Sequence, residues 1–267
     1  MKQYFAYFKL RFITGLQYRA AAIAGLSTQL FFGFIFIMVF IALYESSSVV
    51  APMKIEELVT YMWLNQAFFS LMFLYAKDHE LLSAVKNGDI AYELCRPQEP
   101  YFKWYIKMLS TKLSNVCLRC LPVLILAFML PKPYTLALPN SLLAFILFLI
   151  SLSLGALLVT AIVTLFHIVT FYTLDERGVV GMLIVVAEFF AGAIIPVAFL
   201  PKSVQIIGDY LPFKYLFDLP YRVYSGNITI DSSYSLILMQ FIWLVIIVTI
   251  GYCLTKKALR KVVVQGG

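Results

Sequence analysis

Six long apolar runs constrain this chain more than any other feature: Ala20–Tyr44, Leu58–Ala76, Met108–Leu130, Leu142–His167, Val179–Val197 and Leu236–Thr255. A helix needs about 20 apolar residues to cross the hydrocarbon core of a bilayer. The core offers no water to backbone polar groups, so a crossing segment must be a helix or part of a closed barrel. Barrel strands alternate apolar and polar residues over short segments, and this sequence nowhere does. Charged residues make up 13% of the chain, against roughly 25% in a soluble domain. The expected fold is an all-α polytopic membrane protein: one domain over 1–267 with six transmembrane helices.

Basic residues set the expected orientation. With the N-terminus inside, the inner segments hold 14 Lys and Arg and the outer ones hold 5, namely Lys54, Lys132, Lys202, Lys214 and Arg222. Cytoplasmic loops carry the excess of Lys and Arg, so both termini are expected in the cytoplasm. The net charge of +7 suits anionic lipid headgroups and calls for no nucleic acid. The first apolar run is too long for a cleaved signal and is expected to anchor.

Residues 1–19 place Tyr4, Phe5, Phe8, Phe12 and Leu16 at helical spacing with basic residues at the edges, the pattern of an interfacial helix. The fourth run continues without formal charge to Leu174, about 50 Å as a helix. It must overshoot the bilayer or break, with Gly155 one candidate hinge. Beyond the fifth run, residues 199–231 carry Pro201, Pro212 and Pro220 among many aromatics. Two short helical pieces, Ser203–Tyr210 and Lys214–Tyr224, are expected there as a re-entrant outer segment, which needs protein or water around its backbone. The outer segments 45–57 and 131–139 present no evident site.

Several motifs suggest chemistry and fail on context. Cys117-Leu118-Arg119-Cys120 matches C-x-x-C, but a redox pair needs an accessible thiolate and this one lies inside a span, where packing is the expected role. His79 and His167 have no metal-ligand spacing. Asn227-Ile228-Thr229 is a glycosylation sequon on the outer side. No lysine follows a glycine anywhere in the chain, so no G-x-x-x-x-G-K phosphate loop exists. Were ATP to drive this protein, another polypeptide would have to bind it.

Two features remain. Residues 77–107 form the longest stretch between apolar runs rich in both signs of charge. There Asp78–Val85 suits a short helix with Asp78 as N-cap, Asn87-Gly88-Asp89 is a stop signal, and Ile90–Cys95 offers a second turn closed by Arg96-Pro97. It reads as a docking handle or as a solvated loop. Glu188 lies about ten residues into the fifth run, near mid-bilayer by helical rise. An acid at that depth protonates, faces a wet cavity or pairs with a cation, and Arg119 in the third run is the partner of comparable depth. Gly192 and Pro196 weaken the helix just beyond it. From residues alone, an intramembrane lipid-modifying enzyme using Glu188, or a secondary transporter, are the competing functions. An enzyme would converge more polar groups at one depth, and a secondary transporter would show related halves.

Specific residues carry a family likeness. Phe171-Tyr172-Thr173 stands before the charged turn, Gly192 and Pro196 end the fifth run, and Pro201, Leu211-Pro212-Phe213, Pro220 and Gly226 punctuate the outer segment. On the other side stand Lys86-Asn87-Gly88-Asp89-Ile90 and Leu94-Cys95-Arg96-Pro97. With these, nearly the whole chain resembles the permease subunits of type-2 ABC exporters, in particular a bacterial subfamily of small six-span permeases. Tyr172 and Ala191 depart from the usual Trp and Ser, and Glu188 is no part of the likeness. The resemblance implies a hetero- or homodimer of permeases in the bacterial cytoplasmic membrane with the substrate path between them. Each would rest on a separate ATP-binding subunit, so that ATP and Mg sit on that partner and this chain binds no cofactor and catalyses nothing itself. It makes 77–107 the coupling loop, with Leu82, Val85, Lys86, Asn87, Gly88, Asp89 and Ile90 meeting the ATPase. It also places the path or gate at Gly192, Pro196 and Phe213, beside Glu188.

Overall fold

The computed structural model describes residues 2–17, 19–46, 51–74, 98–173 and 178–260. Among these, every regular element is helical: α1 (Lys2–Leu16), α2 (Arg19–Ser46), α3 (Ile55–Met72), α4 (Pro100–Met129), α5 (Leu142–Thr173), α6 (Val179–Ala191), α7 (Lys202–Asp209), α8 (Asp218–Ser225) and α9 (Ile230–Leu259), with 3-10 turns at Val197–Phe199 and Phe213–Tyr215. Four helices are long and apolar enough to cross a membrane, within α2, α4, α5 and α9. Of the other two expected spans, Leu58–Ala76 falls on α3 and Val179–Val197 on α6, which do not reach that length and apolarity among the described residues.

α3 is the axis of the bundle. Leu58 through Ala67 are all buried, including Tyr61, Trp63, Asn65 and Gln66, and the helix packs on α2, α4, α5 and α8. A helix enclosed by protein on every side can carry polar groups, provided each finds a partner. Thr60 Oγ1 accepts the Ala137 N–H at 3.1 Å, and Trp63 Nε1 donates to the Tyr134 carbonyl at 2.7 Å. These two bonds hold the segment 131–139, which looked inert in the sequence, against the end of α3. Glu56 and Glu57 in the first turn of α3 complement the helix dipole.

α6 is only 13 residues long, about 20 Å at the helical rise, and does not continue to Val197. It stops where Gly192 takes a left-handed backbone, φ 74°, which costs glycine little and other residues much. Glu188 therefore lies one turn from a helix end. The fourth run does not hinge: α5 is one continuous helix of 32 residues. Gly155 instead provides clearance, because a Cβ there would stand 2.9 Å from the backbone oxygen of Leu216.

Segment 199–231 is thereby drawn onto the bundle. Gln240 of α9, fully buried, donates through Nε2 to the carbonyls of Ser151 at 2.9 Å and Tyr215 at 2.8 Å. Its Oε1 accepts the Ser151 hydroxyl at 3.0 Å. One amide thus ties α5, α9 and the 213–215 turn together. The short pieces fall at 202–209 and 218–225 instead of 203–210 and 214–224, because Pro212 to Leu216 tightens into the 3-10 turn.

The elements sort to two ends. Segments 51–57, 131–141 and 199–229 meet at one end, where Lys132 faces Glu56 at 3.5 Å. At the other, the Glu99 N–H donates to Tyr4 Oη at 2.9 Å, and Tyr101 packs edge-on to Tyr252 at 6.3 Å. α1 runs along the first half of α4, with Gly15 against Ser114, and leaves Phe5 and Leu10 exposed.

Replacing Gln240 by Leu strands the Ser151 hydroxyl and the Tyr215 carbonyl, each worth about 1–3 kcal/mol when buried unpaired. The variant is expected to unfold several degrees below wild type in detergent, followed by tryptophan fluorescence. An unchanged midpoint contradicts the role given to this amide.

Candidate functional site

The break after α6 is a polar part of the interior, and it accounts for Tyr61 and Asn65 on α3. When a helix stops, its last carbonyls lose their helical donors, and in a membrane protein other groups must supply them. Glu188 O accepts the Ala193 N–H at 3.4 Å. The Gly192 carbonyl accepts the Tyr61 hydroxyl at 2.8 Å. Asn65 Nδ2 donates to the Ala193 carbonyl at 2.5 Å. Tyr61 and Asn65 lie four apart on α3, hence on one face, so the two side chains grip successive carbonyls. The fit is close: a Cβ on Gly192 would come within 2.7 Å of Tyr61 Oη.

A buried ion pair closes the arrangement. Asp218 opens α8, and its Oδ1 accepts the Val197 N–H at 3.0 Å and lies 3.4 Å from Tyr61 Oη. Its Oδ2 accepts from Arg222 Nη1 at 3.0 Å, one turn along the same helix. The Asp218 side chain is 3% exposed and Arg222 24%. A carboxylate removed from water needs such pairing. Arg222 Nε in turn donates to Asn227 Oδ1 at 2.7 Å, and Asn227 Nδ2 donates to Glu57 Oε2 at 3.0 Å. Glu57 also accepts the Lys54 N–H at 3.1 Å. The chain of contacts runs from the break, through α8, to the start of α3. Asn227 is committed to this network, whatever its place in a sequon. Tyr221 packs edge-on to Tyr61 at 5.4 Å, and burial holds its phenol well above the ordinary range, so it stays protonated.

The residues expected at a path or gate are partly gathered here. Gly192 and buried Pro196 bound the break, and the 3-10 turn that Phe213 opens packs against α6. Glu188 is half-buried on α6. Arg119 sits elsewhere: its guanidinium covers Gly25 of α2, within 2.5 Å of where a Cβ would stand. The principal neighbours of α4 are α1, α2, α3 and α5, whereas α6 packs on α5 and the 213–215 turn. Leu82, Val85, Lys86, Asn87, Gly88, Asp89 and Ile90 lie outside the described residues. Cys117 is exposed on α4, whereas half-buried Cys120 packs against the hydrophobic core as expected, both as free thiols. His167 is buried with Nδ1 2.7 Å from the Val163 carbonyl.

Sequence reasoning passed over Asp218, Arg222, Tyr61, Asn65 and Glu57. One signal was present: an Asp and an Arg four apart in a proline-punctuated aromatic segment. A second was the Asn65-Gln66 pair in the middle of an apolar run. Neither names its partner, because those partners lie 157 and 128 positions away from Tyr61 and Asn65 respectively.

The described residues thus form an all-helical protein with several membrane-length helices and a broken helix locked to a buried axial one. Residues 30–266 match the family described as ABC-2 family transporter protein, and the chain belongs to that family. It is a membrane protein of the ABC transporter class with a transport role. No curated protein and no solved structure matches the chain.

Arg222→Ala leaves Asp218 buried without its countercharge and is expected to cost about 3–5 kcal/mol of stability. Combining it with Asp218→Asn removes the stranded charge and should recover much of that loss. Thermal unfolding of the single and double variants measures the coupling; strictly additive losses would refute it.

Proposed function

We propose that this chain is the membrane-spanning subunit of an ATP-driven exporter in a bacterial cytoplasmic membrane, with both termini in the cytoplasm. It forms the substrate path with a second permease chain and takes its drive from a separate ATP-binding subunit, which holds the ATP and Mg. Family membership supports the transport role. The observation that carries the coupling is the position of α3. Its last turn leads directly into segment 77–107, and Lys112 of α4 donates to the Phe73 carbonyl at that exit. Its middle carries Tyr61 and Asn65, which hold the break after α6. Tyr61 and Phe73 are 12 positions apart, about 18 Å along a helix. A rod held at its exit and at its middle converts a tilt imposed at the loop into a displacement at the break. Such rigid-element shifts are how packed proteins transmit switching.

In this scheme Leu82 to Ile90 dock on the ATPase, and Glu188, Gly192, Pro196 and Phe213 border the path. Glu188 faces that path.

The test of coupling is Gly88→Val, which misplaces the turn at Asn87-Gly88-Asp89. In the reconstituted complex, substrate-stimulated ATP hydrolysis should be uncoupled from transport. Unchanged coupling in a normally expressed variant, or failure of any soluble ATPase to co-purify under mild detergent, removes the proposal.

Glu188→Gln tests the path. The variant should fold with wild-type thermal stability yet change transport, with no rescue by Arg119→Gln. Loss of folded protein in each single variant and its recovery in the double one would assign the pair a structural role instead.

A further inference from the structure

At the end where the short loops gather, the wall following the break encloses a cavity of about 640 Å³ between the last turns of α2 and the start of α7. This lies within the roughly 300–1,000 Å³ typical of ligand sites. Phe40, Leu43, Tyr44, Phe199 and Leu200 form its apolar body. The Phe199 ring packs against Phe40 at 5.5 Å and Tyr44 at 6.3 Å. The polar groups of the walls are already occupied. Tyr44 Oη donates to the Met53 carbonyl at 2.7 Å, and Gln205 Nε2 donates to the carbonyls of Ala198 at 3.1 Å and Leu200 at 2.7 Å. Those bonds fix the shape of the cavity and leave its interior apolar.

The mouth is different. Lys202 borders the cavity and is exposed. Two other lysines at this end have acids, Lys214 with Asp209 and Lys132 with Glu56, but among the described residues no carboxylate pairs with Lys202. A largely apolar slot of ligand size whose rim lysine has no carboxylate partner among the described residues fits a molecule with an apolar tail and an anionic head. The slot opens beside the end of a membrane-spanning helix, where bilayer lipids present both.

We infer that this cavity holds one acyl chain of an anionic phospholipid from the adjoining leaflet, with its phosphate at Lys202. The inference goes beyond the transport reading and does not depend on it. Its wall residues Ala198 to Leu200 directly follow Val197, whose N–H is held by Asp218, so an occupied cavity braces the same break.

The experiment is native mass spectrometry of the purified full-length chain released from neutral detergent, titrated with phosphatidylglycerol, phosphatidylcholine or glycerol phosphate. Wild type should retain phosphatidylglycerol about fivefold more tightly than phosphatidylcholine, the attraction one lysine contributes near a surface. Glycerol phosphate alone should not bind. Lys202→Gln, a change at an exposed side chain, should abolish the preference while keeping the weaker binding. Leu43→Trp, which fills the slot from a position 53% exposed, should reduce binding of both lipids. Equal affinity of wild type for the two lipids overturns the assignment. So does a preference that survives Lys202→Gln, full binding by folded Leu43→Trp, or binding of glycerol phosphate without its chains.

Discussion

The carbonyls freed where α6 stops at Gly192 are the constraint around which the interior is arranged. In water a broken helix end is hydrated at little cost. Inside a bilayer each such group must be met by protein or pay several kcal/mol. Tyr61 and Asn65 meet two of them, and Asp218 meets the first amide of the turn beyond. Once those three side chains are required, much else follows. Asp218 requires Arg222, Arg222 engages Asn227, and Asn227 engages Glu57 at the start of the very helix that carries Tyr61. The result is a closed circuit of polar contacts linking α3, the break and α8.

This circuit also accounts for the unusual character of α3. A lipid-facing helix could not carry Thr60, Asn65, Gln66 and Ser70 in its middle. α3 can, because it lies at the centre and the other helices face the lipid in its place. The same division explains why α2, α4, α5 and α9 expose Leu, Ile, Phe and Val over much of their length. Packing between such helices has little hydrophobic drive in lipid, so close approach and interhelical hydrogen bonds decide it. Gly155 beneath Leu216 and Gln240 between α5 and the 213–215 turn are the two clearest instances.

Mechanically, the arrangement joins a stiff rod to a weak joint. α3 is buried, well bonded and continuous. The segment from Gly192 to Pro196 is short and irregular, held by side-chain bonds from Tyr61 and Asn65, and only then does the chain tighten into the 3-10 turn at Val197–Phe199. Motion delivered along α3 would be taken up at that joint, because its few hydrogen bonds can exchange partners while the rod cannot bend cheaply. The cavity beside Phe199 borders the same joint.

The sequence by itself determined the class: apolar runs of bilayer length and few charges permit only a helical membrane protein. It also marked Gly192, Pro196 and the proline-rich outer segment as places where helices end, since those residues act locally through backbone conformation and a missing N–H. Run length could not reveal that α5 continues unbroken past Gly155, that α6 ends at Ala191, or that α3 is an axis instead of a lipid-facing span. Each depends on what packs alongside, and hydropathy measures only a residue's own preference. Tertiary structure alone decided that Tyr61, Asn65, Asp218, Arg222, Asn227 and Glu57 form one network. A polar side chain announces that it needs a partner, but only the fold brings that partner within 3 Å across 131 positions of chain.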